Sequence, residues 1–269
     1  MNMKLENELN VIIPDKIKNI INGLKYTIDD VGKSNSKVVV FDDYILKISC
    51  LSFEIENELK VYKEFKDSLP IPKIIECEYN NEKMFILREK LKGKMLCDDY
   101  YMTKPDLLFS LAAQAIKLLW SIDIKKIHLQ NTFDTIIAYG KNANNNGLLD
   151  IDKANKDIVK DFSNFDEIIH FLEINKPKDD NVLTHGDLCI SNIICDGEKI
   201  VGFIDLGLMG VSHRYHDLAI LYRSIKYNYG GKYGKAYTGF SENKLFNLLN
   251  IKRDNNLINY FLLLDELLG

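Results

Sequence analysis

The sequence predicts an α+β chain in two lobes, a small antiparallel-sheet lobe with one helix followed by a larger, mostly helical lobe. Three observations lead there. Short β-branched or alternating runs separated by tight turns fill residues 37–48 and 73–87. Between them, residues 53–66 switch to a helical period, and beyond residue 100 that period dominates. The connector Arg88-Glu89-Lys90-Leu91-Lys92-Gly93 separates the two regimes, which places the lobes at 1–91 and 92–269. A length of 269 residues suits about two domains, and 46% hydrophobic with 28% charged residues is the composition of a chain that buries a core.

Taken in order, Asp15 to Leu24 predicts an amphipathic helix with Ile17, Ile20, Ile21 and Leu24 on one face. Asp29 to Ser36 reads as a turn into the strand Lys37–Phe41, and Asp42-Asp43 turns the chain back through Tyr44–Ile48. Alternation puts Lys47 on the face of Ile45, opposite Leu46 and Ile48. The following helix has an apolar stripe of Ile55, Leu59, Tyr62 and Phe65, with Glu58 on its inner edge. Leu69-Pro70-Ile71-Pro72 ends it, and strands at Lys73–Tyr79 and Lys83–Leu87 complete the first lobe. Leu107 to Ile122 is apolar nearly all round, including Ala112, Ala115, Leu118, Leu119 and Trp120, and predicts a buried central helix. Asn142 to Gly147 reads as a polar loop and Asp161 to Ile174 as a helix. Two short strands, Ile193–Cys195 and Lys199–Ile204, flank Asp196-Gly197, and helices over Tyr215–Ile225 and Leu257–Leu268 close the chain.

Composition narrows the function classes. A net charge of -4 lacks the basic footprint of a nucleic-acid binder and suits a cationic ligand. The first eight residues have no apolar core of a signal peptide, and no apolar run approaches the roughly 20 residues needed to span a bilayer. Five cysteines without C-x-x-C spacing read as free thiols in a reducing, cytoplasmic setting.

The stretch Thr184-His185-Gly186-Asp187-Leu188-Cys189-Ile190-Ser191-Asn192, followed by Phe203-Ile204-Asp205-Leu206-Gly207, carries the chemistry. Phosphoryl transfer needs one carboxylate to orient or deprotonate the acceptor hydroxyl, here Asp187. It also needs hard oxygens for Mg²⁺, here Asn192 and Asp205. Alone, His-Gly-Asp is more often the sequence of a turn with a helix-capping aspartate, and Asn192 or Asp205 that of a turn or hairpin terminus; the set of three is what favours the chemical reading. Register matters too. An Asp196-Gly197 turn sets Asn192 opposite Val201, whereas a longer loop through Asp196-Gly197-Glu198-Lys199 sets it opposite Phe203, close to Asp205. Lys47 is the candidate for the phosphates, with Glu58 as its partner and Glu54 as a rival. Gly32-Lys33-Ser34 offers one glycine, so Ser34 reads equally as a phosphate contact or a turn residue, and no Walker sequence is present. Asp217 opens a helix and takes the ordinary reading of an N-cap. Cys189 and Cys195 read as core or loop thiols.

These motifs, with Leu69-Pro70-Ile71-Pro72-Lys73, Ser121-Ile122-Asp123-Ile124, Asp217-Leu218-Ala219, Arg223-Ser224-Ile225 and the final Leu263 to Leu268, follow one another in an order that resembles the aminoglycoside phosphotransferases. The resemblance is to the 3′-phosphotransferase (kanamycin kinase) branch, whose fold is protein-kinase-like with two lobes. It implies a catalytic role for Asp187 and Mg²⁺ ligation by Asn192 and Asp205. It further implies a phosphate-positioning pair in Lys47 and Glu58, with Ser34 in the nucleotide loop. Arg88, Glu89, Lys90 and Leu91 take the place of the hinge that holds the purine through its backbone. His185 and Asp217 correspond to the brace of the catalytic loop, and Asp157, Asp265 and Glu266 to acids that face a cationic sugar.

The chain departs from the family pattern at Leu208, where many relatives carry arginine, and at Ile45, where some stack an aromatic on the purine. It departs again at Ala154 and Tyr227, where relatives often place acids. The expected function is transfer of the γ-phosphoryl group of Mg²⁺–ATP or Mg²⁺–GTP to an aminoglycoside hydroxyl, the 3′-hydroxyl first. Another small-molecule hydroxyl (choline, a sugar, an amino-acid alcohol) and a catalytically silent nucleotide-binding regulator are the alternatives. No Ala-Pro-Glu segment of a protein kinase is present.

Overall fold

The computed structural model describes residues 2–29, 36–80, 83–129 and 133–268. The chain divides into two compact units, 1–93 with 201–207 and 94–200 with 208–269. The segment 201–207 therefore belongs with the first unit, a difference from the 92–269 lobe that the sequence predicts. Two hydrogen bonds show why: Phe203 N–H donates to the Pro70 carbonyl at 2.9 Å, and Asn57 Nδ2 donates to the Gly207 carbonyl at 2.9 Å.

In the first unit, helices α1 (Asn2–Leu9) and α2 (Asp15–Ile21) precede strands β1 (Tyr26–Asp29), β2 (Lys37–Phe41) and β3 (Tyr44–Cys50). Helix α3 (Phe53–Phe65) and strands β4 (Ile74–Asn80) and β5 (Lys83–Glu89) follow. The five strands form one antiparallel sheet in the order β1-β2-β3-β5-β4. Its two faces hold different things. Leu46 and Ile48 of β3, with Phe85 and Leu87 of β5, bury against Leu5, Leu9, Ile13, Ile17 and Ile21. The opposite face presents Lys47, paired in register with Ile86, and Ile45, paired with Arg88. Helix α3 covers that face; Ser52 caps it by accepting from Ile55 N–H.

Three differences from expectation have simple causes. Helix α1 was not anticipated because its buried face includes only the i, i+4 pair Leu5 and Leu9 in a polar octapeptide. Helix α2 stops at Ile21 rather than Leu24, since Gly23 takes a left-handed φ of 80°. Strand β1 lies in what the sequence offers as the approach to a turn.

The second unit opens with β6 (Lys94–Met95), α4 (Asp99–Met102), α5 (Pro105–Trp120), α6 (Phe133–Asn145), α7 (Lys156–Val159) and α8 (Phe165–Ile174). Strands β7 (Asn181–Thr184), β8 (Ile193–Asp196), β9 (Lys199–Phe203) and β10 (Gly210–His213) follow; helices α9 (Tyr215–Tyr229), α10 (Lys244–Leu249) and α11 (Asn255–Asp265) end it. Strand β9 starts here and carries the chain into the 201–207 segment. Helix α5 is the expected central helix, with Pro105 in its first turn and Leu108, Phe109, Leu111, Ala112, Ala115, Ile116 and Leu119 buried.

The expected polar loop at 142–147 is instead the end of α6, which buries Ile136, Ile137, Gly140 and Ala143 and terminates at Gly147, φ 66°. Asn-rich composition hid it; tertiary burial of one face overrides weak propensity. Helix α8 begins at Phe165, not Asp161, because Asn164 accepts from Glu167 N–H while Glu167 accepts from Ser163 N–H, a reciprocal cap.

Because Ile17 of α2 is fully buried in the cluster under the sheet, Ile17→Ala should cost about 2–5 kcal/mol in urea unfolding. A loss below about 1 kcal/mol would contradict that placement.

Candidate active site

Strands β7 and β10 pair antiparallel, Thr184 opposite Gly210 and Leu183 opposite Val211, and the loop 185–192 leaves from the end of β7. Its backbone is fixed first by Gly186, at φ 84°, where an added Cβ would lie 2.1 Å from the Leu208 carbonyl oxygen. It is fixed second by Asp217, the third residue of α9. The Asp217 carboxylate accepts from His185 N–H at 2.7 Å and from Gly186 N–H at 3.0 Å. Asp217 is thus a loop clamp, not the N-cap that its position suggests. Burial raises its pKa from 3.8 to about 6, against the pull of His185 and the two N–H bonds.

The clamped loop presents Asp187, half-buried. Its Oδ1 accepts from the Cys189 thiol at 3.2 Å and its Oδ2 from Asn192 Nδ2 at 3.1 Å. Asn192 Nδ2 also donates to the Asp187 carbonyl at 2.8 Å, so both amide hydrogens are used and the amide oxygen is the ligand it has to offer. Cys189, read from sequence as a bystander, is held protonated by burial and by the adjacent Asp187 charge. Strands β8 and β9 are neighbours joined by Gly197-Glu198 alone, a shorter loop than the Asp196 to Lys199 loop that the sequence offers.

Behind the loop lies a second charge cluster. Arg223 of α9 pairs with Asp265 at 2.6 Å and stands 3.8 Å from Glu266. Burial opposes the Arg223 charge, but Asp265 and Glu266 outweigh it and its pKa rises. Burial lifts Asp265 despite Arg223, with the Asp187 charge adding to the lift. Glu266 also accepts from Asn155 N–H at 3.0 Å, and Asn155 Nδ2 donates to Tyr227 Oη at 2.9 Å. Asp157 stands exposed in the first turn of α7.

The first unit assembles the remaining candidates, apart from Ser34, which lies outside the described residues. Lys47 Nζ meets Glu58 Oε2 at 2.8 Å with the glutamate side chain 1% exposed, which settles the pairing in favour of Glu58 over Glu54. Glu58 Oε1 accepts from Tyr62 Oη at 3.2 Å, and Tyr62 in turn accepts from Arg88 Nη1 at 3.4 Å. Arg88 Nη2 stands 3.9 Å from Asp205 Oδ1. Asp205 itself has φ 58°, a left-handed conformation unusual for a side-chain-bearing residue, and half its side chain is exposed. Of the expected hinge, Glu89 N–H donates to the Lys73 carbonyl and Lys90 N–H to that of Asp43, while the Arg88 side chain turns inward. Sequence reasoning missed Tyr62 and the Arg88 guanidinium as parts of this cluster; the alternation of β5 that buries Phe85 and Leu87 on one face was the available signal for Arg88 on the other.

An amide oxygen and a carboxylate are donors that fit Mg²⁺, which prefers hard oxygens and keeps few protein ligands. Among the described residues no cluster of three His, Cys, Asp or Glu side chains is placed to hold a metal.

The sequence profile of the phosphotransferase enzyme family matches residues 25–244. An aminoglycoside 3′-phosphotransferase of Enterococcus faecalis is 32% identical over 240 residues, covering 88% of this chain and 87% of that protein. Another, from Staphylococcus aureus, is 30% identical over 266 residues, covering 95% and 98%. Among solved structures, the aminoglycoside phosphotransferase APH(3″)-Id of Streptomyces rimosus, in complex with ADP and streptomycin, superposes with a TM-score of 0.75. It is 17% identical and covers 93% of this chain and 95% of that one, a likeness of fold.

Two predictions test the loop. Gly186→Ala combines a strained φ with a backbone clash and should lower stability by about 1–3 kcal/mol in thermal melts. For Asp217, the folded chain binds the proton more tightly than the unfolded chain. Its stabilising contribution is therefore full below about pH 4 and is lost as pH rises through about 6. Measured against Asp217→Asn by urea unfolding, the wild type should gain up to about 3 kcal/mol on going from about pH 7 to about pH 4. A difference that stays constant with pH would show that the buried carboxyl is not perturbed.

Proposed function

The chain belongs to the phosphotransferase enzyme family that includes the aminoglycoside 3′-phosphotransferases, and on that premise we propose that it moves the γ-phosphoryl group of a nucleoside triphosphate to an aminoglycoside hydroxyl, the 3′-hydroxyl first. The observation that carries this reading is the state of Asp187. Both of its carboxylate oxygens are held by donors inside a loop whose backbone is clamped, so the carboxylate is aimed before any substrate arrives.

In the proposed reaction the acceptor hydroxyl hydrogen-bonds to Asp187. As its oxygen bonds to phosphorus, the bond to the departing nucleoside diphosphate breaks and the proton leaves toward the Asp187 carboxylate. Lys47, oriented by Glu58, would hold the phosphates. We assign Mg²⁺ to Asp205 and, by the family resemblance, to the amide oxygen of Asn192; when bound, the ion neutralises charge on the phosphates. Because Glu89 and Lys90 N–H are already bonded, the Leu91 N–H is the hinge donor we assign to the purine of ATP or GTP.

Substrate recognition rests on charge. Arg223 faces two carboxylates, so the cluster keeps one negative charge beyond neutrality. Asp265 has the closer contact with Arg223, which leaves Glu266 and exposed Asp157 as the acids proposed to meet ammonium groups. The setting we propose is the cytoplasm, where the nucleotide donor is found.

Asp187→Ala should lower turnover by about 10²–10⁴-fold in a coupled phosphotransfer assay while nucleotide binding persists. The acceptor is tested with kanamycin, neomycin and gentamicin beside choline and simple sugars, and by growth of a susceptible host on the same antibiotics. Turnover of a non-aminoglycoside alone would remove the substrate but keep the chemistry.

A further inference from the structure

Arg88 is 6% exposed, yet its guanidinium contacts are long: 3.4 Å to the Tyr62 hydroxyl and 3.9 Å to Asp205. Its buried Nε has no hydrogen-bond partner among the described residues. A buried arginine normally takes its carboxylate in a short, forked arrangement, because desolvation otherwise goes uncompensated. Here the Tyr62 hydroxyl and the Asp205 carboxylate stand around it at distances beyond a close ion pair.

Simple space-filling does not account for this. A methionine of similar length would fill the same site against Tyr62 without a desolvated charge. What the arginine alone provides is a fixed positive charge behind the Asp205 carboxylate. That carboxylate is half-exposed on its other side and is held in a left-handed conformation. The four charges along the run Lys47, Glu58, Arg88 and Asp205 alternate in sign and sum to zero without any added ion.

We propose that Arg88 is a charge gate for the metal: it serves as the counter-ion of Asp205 and so weakens the site for a free divalent cation, while favouring a cation that arrives already bound to a triphosphate. The inference rests on the proposed role of Asp205 as a metal ligand. The physics is one of sign. A free dication a few ångströms beyond Asp205 is repelled by the guanidinium, and low local dielectric enlarges that repulsion. The metal–nucleotide complex carries net negative charge, so the same guanidinium, together with Lys47, attracts it. Arg88 is a positioning residue in this scheme; it touches the carboxylate and not the reacting atoms.

The test is titration of Mn²⁺, followed by electron paramagnetic resonance, into the whole chain without nucleotide and then with ATP. Wild type should bind free Mn²⁺ weakly and Mn²⁺–ATP well. Arg88→Met should bind free Mn²⁺ at least about ten-fold more tightly, and Arg88→Lys should stay near wild type. A purely structural arginine predicts the opposite, since a disturbed site binds metal less well. Unchanged or weaker Mn²⁺ binding by a folded Arg88→Met overturns the gate. If that variant does not fold, Arg88→Gln carries the same expectation, and wild type alone still decides: Mn²⁺ without nucleotide should leave its melting temperature nearly unchanged, and a shift as large as that given by Mn²⁺–ATP refutes the proposal. Failure of wild type to bind Mn²⁺–ATP at all removes the proposed function as well, whereas normal Mn²⁺–ATP binding with no effect of Arg88 removes only the gate.

Discussion

One buried carboxylate accepting two consecutive backbone N–H groups underlies the arrangement of the second unit. Asp217 reaches back from the first turn of α9 to His185 and Gly186, and those two amides point the same way only because Gly186 is left-handed. Everything downstream follows from that turn. With the backbone of 185–186 fixed, Asp187 leaves the loop at a defined angle, and Asn192 and Cys189 lie where they can grip one oxygen each. Ser224, two turns along the same helix, takes the Ile190 N–H at 3.1 Å, so α9 holds the loop at two points. The cost of burying Asp217 shows in its raised proton affinity. It is tolerated because the alternative is two unpaired buried N–H groups and a loop free to wander.

The first unit uses a different device. Its sheet is ordinary on the face packed by α1 and α2, where aliphatic side chains interdigitate, and polar on the face packed by α3. Strand alternation alone assigns Lys47 and Arg88 to the polar face, and helix period assigns Glu58 and Tyr62. The packed outer face makes the polar one dependable: a one-residue slip of β3 would send Lys47 into the aliphatic core and Leu46 toward Glu58.

Much of this was legible in the sequence, and the failures have physical reasons. Period-two and period-3.6 patterns located β2, β3, α3, α5 and α9, because each buries one face against a continuous core. Short β7 and β10 escaped, since four residues give too few alternations to read. Helix α6 escaped for compositional reasons, its Asn-rich end mimicking a loop. Within the site, spacing picked out Asp187 and preferred Glu58 over Glu54. Pairings that join distant segments are not encoded in local pattern: the brace of 185–186 by Asp217 came only from the family resemblance, and Arg223 with Asp265 and Arg88 with Asp205 depend on tertiary contacts that no local pattern encodes.

The contrast between the two clusters bears on how such a chain changes substrate without losing its chemistry. The 185–192 loop is held through its backbone amides, which donate to the Asp217 carboxylate and the Ser224 hydroxyl, so its geometry depends on those two side chains more than on its own. The Arg223–Asp265–Glu266 cluster is held by side-chain charge, and its net charge changes by one with any single substitution to a neutral residue. The absence of acids at Ala154 and Tyr227 moves charge in the same way. Tyr227, bonded to Asn155, which in turn anchors Glu266, offers an aromatic surface and a hydroxyl in place of a carboxylate. In the proposed recognition of a cation at that edge, few formal charges act and each carries more weight. The charge presented by that cluster is accordingly set by the partition of one guanidinium between two carboxylates, a balance that side-chain changes tune while the clamped loop stays as it is.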